Sequence, residues 1–205
     1  MVKVHGTRII ETSIRACLAA GIKEIYIVRG HLAEHFDVLR KKYPMIQFIE
    51  NPDYDKANNI SSAVKACHLF ENAYVLEADL LVKNPKIICP YHYQSDVLGI
   101  WMDHSDDWVL VPDEKGNVSE EKVTGDRCYQ MVGIYYWNQS DAKKLQSHLV
   151  EAFESTPEGR NMYWETVPNQ LHRGEYEIKI RPCLASDVVE IDTFDELKAI
   201  DPSYR

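Results

Sequence analysis

No apolar run in this 205-residue sequence approaches the roughly 18–20 residues that span a bilayer, so no membrane span is expected. The opening Met1-Val-Lys-Val-His-Gly6 lacks the apolar segment of a signal peptide. Cysteine is scarce: Cys17, Cys67, Cys89, Cys128 and Cys183 are scattered, odd in number and never in C-x-x-C spacing. That pattern fits reduced thiols in a cytoplasmic protein better than a disulfide framework or a zinc site. Basic charge is also short. Lysine and arginine total 23 against 32 acidic residues, a net charge of −9. Non-specific nucleic-acid binding needs a basic face for the phosphates, and none is available. A small anionic substrate would need local cations or a metal ion. The nine glycines form neither G-x-G-x-x-G nor a Walker A loop, and there is no G-x-S-x-G elbow. His31 and His35 sit at i, i+4, but His-Leu-Ala-Glu-His is not H-E-x-x-H and no third ligand is evident, so no catalytic zinc is expected there. Repeats, low-complexity stretches and linkers are absent. Against a prior of roughly 100–200 residues per domain, residues 1–205 read as one domain.

What is present is ordinary globular material, 45% hydrophobic and 27% charged. Ile10, Ile14, Cys17 and Leu18 predict a helix over 8–20, stopped by Gly21. Residues 24–29 predict a strand, 31–42 a helix, 46–50 a strand, 59–70 a helix capped by Asn58 or Asn59, and 73–78 a strand ending at Asp79. This rhythm predicts a largely parallel sheet covered by helices. The second half predicts strands at 96–102, 108–112, 118–123 and 129–137, with a turn at 114–117. Helices at about 140–154 and 161–172 follow, then strands at 176–181 and 188–191 and a last helix from 194.

Asp79 and Asp192 each end a strand, where open α/β sheets bind ligands, and carboxylates there can hold Mg²⁺ beside phosphates. The bland alternative is loop capping. For Asp192 that role is already filled, because Thr193-Phe-Asp-Glu196 reads as a capping box. Asn58, Asn59 and Ser62 lie at a strand-to-helix junction, where amides can receive a nucleotide; N-capping explains one asparagine but not two. Trp108 follows Asp107, and Tyr163-Trp164 precedes Glu165. Aromatic rings beside carboxylates can cage a quaternary ammonium, although core packing is the commoner use of any one tryptophan.

Taken in order, Gly30-His-Leu-Ala-Glu-His-Phe-Asp37, Asn51-Pro-Asp-Tyr54, Asn58-Asn-Ile-Ser-Ser62, Asn72-Ala-Tyr-Val-Leu-Glu-Ala-Asp79, Tyr163-Trp164 and Glu190-Ile-Asp-Thr193 resemble the bacterial CTP:phosphocholine cytidylyltransferases, of the nucleotidyltransferase superfamily. The likeness is greatest to the cytidylyltransferase part of fusions with choline kinase. It implies a Rossmann-like αβα sandwich with a mixed, mostly parallel sheet, and Mg²⁺-dependent transfer of CMP from CTP to phosphocholine. It assigns Asp79 and Asp192 to catalysis and the metal, Asn58, Asn59 and Ser62 to the nucleotide, and Trp108, Tyr163, Trp164 and Glu165 to choline. A fused or associated choline kinase domain is a possible partner on this likeness. Sugar 1-phosphate, phosphoethanolamine or an aminophosphonate are alternative acceptors, and a non-catalytic nucleotide- or choline-binding remnant is a further alternative. The resemblance also implies a first strand and a loop G-x-G-x-R…P-K ahead of the segment matched by Met1–Gly6. The expectation is therefore an N-terminally truncated domain, short of its first strand and its phosphate-binding cations, with weak or no activity.

Overall fold

The computed structural model describes residues 1–205. Strands β1 (Lys3–Val4) and β2 (Thr7–Arg8) form a small antiparallel hairpin, and α1 (Ile9–Ala19) follows. Gly21 takes φ +84° just beyond that helix, a left-handed stop that glycine adopts without strain. Next come β3 (Ile25–Arg29), α2 (Asp37–Lys42), β4 (Ile46–Glu50), α3 (Ile60–Ala66), β5 (Ala73–Leu76) and β6 (Leu80–Val82). Two long strands, β7 (Asp96–Pro112) and β8 (Val118–Trp137), make the centre of the molecule. They are followed by α4 (Gln139–Ser155), β9 (Lys179–Cys183), β10 (Val188–Glu190) and α5 (Phe194–Ile200).

The principal sheet has the order β5-β8-β7-β9, and β3-β4 and β6-β10 form separate pairs. Only β3/β4 and β7/β9 are parallel; β1/β2, β6/β10, β5/β8 and β7/β8 are antiparallel. The mixed α/β sheet thus carries more antiparallel pairs than the first-half rhythm predicts. The four strands expected between 96 and 137 are two long ones. Bulges bend them so far that Val109 pairs with both Lys122 and Gln130, and the sheet curls into a half-barrel.

Alternation along the central strands builds three layers. Val97 and Tyr135 face α3 and α4 with Ile60, Leu145 and Leu149, whereas their neighbours Leu98 and Ile134 face the α1 side with Ala16 and Leu80. Each aliphatic side chain buried fully in these clusters contributes about 1.5–3 kcal/mol.

Two predicted helices are not regular. Residues 31–42 begin with Leu32 in the left-handed region, pass through a 3-10 turn at Ala33–Phe36 and become α-helical only at Asp37. Contacts from outside the segment hold this turn: the Arg29 guanidinium donates to Ala33 O at 2.9 Å and to Asp37 at 2.7 Å. Residues 161–172 contain a 3-10 turn ending at Asn161 and a π-turn at Val167–Leu171. Pro168 offers no N–H there, and tertiary bonds fix the backbone between the two turns.

No backbone hydrogen bond joins β3 to β5. Ile25–Val28 and Ala73–Leu76 are half-buried and line a cavity of about 1250 Å³ that separates the two strands. The same cavity opens toward the strand ends, where the acidic residues gather.

Candidate active site

The register of β6 with β10 builds the centre of this site. Glu190 lies opposite Leu80, and Ile191 N–H donates to Asp79 O at 3.2 Å. This pairing sets Glu77-Ala-Asp79 beside Glu190-Ile-Asp192. Carboxylate oxygens of Glu77, Asp79 and Glu190 fall within 4.8 Å of one another. Glu77 and Glu190 were not anticipated as site residues. The signal was a shared E-x-D spacing, which puts two acids on one side of an extended chain. Asp192 stands just beyond this trio, and its charge acts on Glu77 and Glu190. The capping box at Thr193 and Glu196 is complete, so α5 starts without help from the Asp192 carboxylate.

Every acid in this group is harder to ionise than usual. Burial raises Asp79; burial and the charge of Asp79 raise Glu77; burial and the charge of Asp79 raise Asp192. Burial, then Asp192, Glu77 and Asp79, push Glu190 up to about 8. The cavity lining includes nine carboxylates (Glu24, Glu71, Glu77, Asp79, Asp107, Glu121, Glu165, Glu190 and Asp192) and no lysine or arginine. Crowded acids without a cation are the electrostatic condition that a divalent ion relieves. Oxygen ligands suit Mg²⁺, and Asp79 Oδ1 is buried with no hydrogen-bond partner, so the residues present fit that ion.

Trp108 and Tyr163 meet edge-to-face at the cavity wall, ring centroids 5.8 Å apart. Asp107 is exposed beside them, with Oδ2 accepting from Gln130 Nε2 at 3.0 Å. Trp164 and Glu165, assigned with them to a choline cage, are placed differently. Trp164 is buried, with its indole edge-to-face against Phe70, Tyr135 and Trp137. Glu165 is 2% exposed. Burial and the adjacent Glu77 push its carboxyl far above the usual range. Both residues wall the cavity from the core side, because Asn59 draws them in: its Oδ1 accepts from Trp164 N–H at 2.8 Å and its Nδ2 donates to Glu165 at 3.2 Å.

That bond set also corrects the reading of one of the two asparagines as a side-chain cap of the helix, and it engages both side chains with protein partners. Asn58 Nδ2 donates to Asn161 O at 3.2 Å, and its Oδ1 accepts from Asn59 N–H at 2.7 Å. Neither side chain caps α3 in the usual way. Both clamp the 160–165 segment onto the start of that helix. Ser62 lines the cavity and accepts from Asn51 at 3.0 Å, which leaves its own hydroxyl proton for a ligand.

No protein-family model matches the chain. The 2-aminoethylphosphonate cytidylyltransferase of Lancefieldella rimae is 34% identical over 207 residues, spanning 100% of this chain and 83% of that relative. The chain belongs to the cytidylyltransferase family. The choline-phosphate cytidylyltransferase of Haemophilus influenzae is 26% identical over 198 residues, 96% of this cytidylyltransferase and 84% of the relative. Among solved structures, the CTP:phosphocholine cytidylyltransferase LicC of Streptococcus pneumoniae matches with a TM-score of 0.89 at 23% identity, over 100% of this chain and 88% of that one. The curled mixed sheet is therefore a nucleotidyltransferase fold.

Proposed function

We propose that this cytidylyltransferase moves CMP from CTP onto a small phosphonate or phosphate that carries a cationic amine, with 2-aminoethylphosphonate as the preferred acceptor. One observation carries the reading: a carboxylate-lined cavity without lysine or arginine, with an aromatic pair and Asp107 at its wall. Such a lining favours a cationic head over a neutral sugar. A primary ammonium has three N–H donors and wants carboxylate acceptors. Two accessible rings beside Asp107 suit it better than a closed aromatic box, since Trp164 is held in the core. The higher identity to the aminoethylphosphonate relative supports the same choice. Phosphocholine is the second reading, favoured by the Trp108–Tyr163 pair.

In the reaction, an oxygen of the acceptor attacks the α-phosphorus of CTP. A new P–O bond forms as the bond to the β-phosphate oxygen breaks, and pyrophosphate leaves with the electron pair. Positioning and charge neutralisation, not a side-chain nucleophile, are what this transfer requires. Asp79 with Glu77 and Glu190, and Asp192 beside them, would hold Mg²⁺, which supplies positive charge for the phosphates when bound. Trp108, Tyr163 and Asp107 would orient the amine end, and the buried Trp164 and Glu165 would keep water from that wall.

Pyrophosphate release from CTP and Mg²⁺, compared across 2-aminoethylphosphonate, phosphocholine, phosphoethanolamine and a sugar 1-phosphate, tests this. The expected order puts 2-aminoethylphosphonate first and the sugar last. Where turnover is too slow to rank, calorimetric acceptor binding gives the same order. A sugar 1-phosphate that outcompetes every amine would overturn the proposal.

A further inference from the structure

Away from the acidic cavity, His148 on α4, His172 just after the π-turn, and Glu175 bring two imidazoles and a carboxylate together, with ligand atoms within 4.8 Å of one another. We propose that these three residues form a site for a borderline divalent transition metal, zinc foremost. The donor set is mixed nitrogen and oxygen, which selects such an ion over Mg²⁺. The geometry is already part-built. His172 Nδ1 lies 2.9 Å from Glu175 Oε1, and His148 Nε2 lies 3.7 Å from Glu175 Oε2. The two rings stack with centroids 3.5 Å apart and planes 7° from parallel. They must fan apart to share one ion, and His172 lies on a turn with its side chain partly open to solvent.

A second feature argues for a ligand site rather than a chance contact. His148 Nδ1 is bonded to Tyr176 Oη at 2.7 Å, and Tyr176 is 7% exposed and packs edge-to-face on Trp137. The core thus fixes the His148 ring with Nε2 directed at Glu175, as outer partners orient metal-binding imidazoles. Lys144, whose Nζ donates to Glu175 O at 2.7 Å, is the cation nearby. Three protein ligands leave a position for water. The bound ion would tie the C-terminal half of α4 to the segment that leads into β9.

Calorimetric titration of the full chain with zinc chloride, in buffer containing excess Mg²⁺ to occupy the acidic cavity, reads this site directly. One zinc per chain is expected, with affinity retained in Glu77→Gln. Tyr176→Phe, which frees the His148 ring, should weaken binding about tenfold. His148→Ala and His172→Ala should each weaken it at least as much. Circular dichroism separates lost binding from lost folding, and His172→Ala on its turn decides the matter if His148→Ala does not fold. Cobalt(II) gives a second readout, a visible absorption band that His172→Ala abolishes. Zinc affinity unchanged in both histidine variants, zinc lost only in Glu77→Gln, or no zinc bound by the unaltered chain overturns the assignment.

Discussion

Glu77 can enter the acidic cluster because residue 133 is glycine. Gly133 has φ +67°, and a methyl group there would run into the Glu77 carboxylate. Gly133→Ala should therefore cost about 1–2 kcal/mol of stability through left-handed strain. It should also displace Glu77 and weaken Mg²⁺-dependent CTP binding about tenfold, the scale seen when a supporting group of a metal site is lost. Glu77→Gln should show the binding loss without the stability loss. Urea unfolding and calorimetry read the two quantities separately, and unchanged CTP binding in both variants would remove Glu77 from the site. At the aromatic wall, Trp108→Ala should weaken acceptor binding several-fold to about thirtyfold while leaving CTP binding intact, the range of a cation–π contact. Asp107→Asn separates the two acceptors. A primary amine should lose more from Asp107→Asn, and a quaternary amine more from Trp108→Ala.

At the scale of elements, Asn59 joins the start of α3 to the 160–165 segment, and Asn59→Ala would leave the Trp164 N–H without its acceptor. The expected cost is about 1–3 kcal/mol, measured by chemical denaturation. The facing edges of β3 and β5 give a second expectation. Hydrogen exchange at 25–28 and 73–76 should proceed through low-energy local openings, unlike the start of β7 around Val97 and the end of β8 around Tyr135, which have ladder partners on both sides. Protection at these two edges equal to that at Val97 would show the slot to be closed in solution. Elements whose shape depends on their own sequence were legible. The period of α1 and the Thr193 capping box stand as read, and the strand read at 24–29 is found at Ile25–Arg29. The break at 31–37 was not legible, because it is held in part by bonds from Arg29 on the preceding strand. The cluster was half legible: the two E-x-D runs are plain in the sequence, but only the Glu190–Leu80 register makes them one site. The asparagines' protein partners were not legible for the same reason, since they lie about a hundred residues away.

For the whole molecule, the net charge of −9 matters less than where the acids lie. Glu190, with an ordinary value of 4.5, is pushed up to about 8 by burial and by the acids around it, and Glu77, Asp79, Asp192 and Glu165 are raised as well. A raised carboxyl binds more protons folded than unfolded. By linkage, stability is greatest below the unfolded value and falls as pH climbs toward the folded one. Glu11, which burial would raise but bonds from Lys42, Arg8 and Tyr43 hold down to about 2, has its own window below pH 4.5 and does not interfere. The melting temperature without divalent ions should therefore decline between pH 5 and pH 8. Mg²⁺ bound there would replace the protons that neutralise the cluster, so its stabilisation should be small at pH 5 and large at pH 8. At a hundred times its dissociation constant the gain is about 2.7 kcal/mol. Calorimetric scans across this range, with and without Mg²⁺, test both expectations. Glu190→Gln should flatten the metal-free profile, because it removes a clustered acid whose value is pushed up to about 8. A metal-free profile as steep in that variant as in the unaltered chain would mean that the pH dependence does not arise from Glu190.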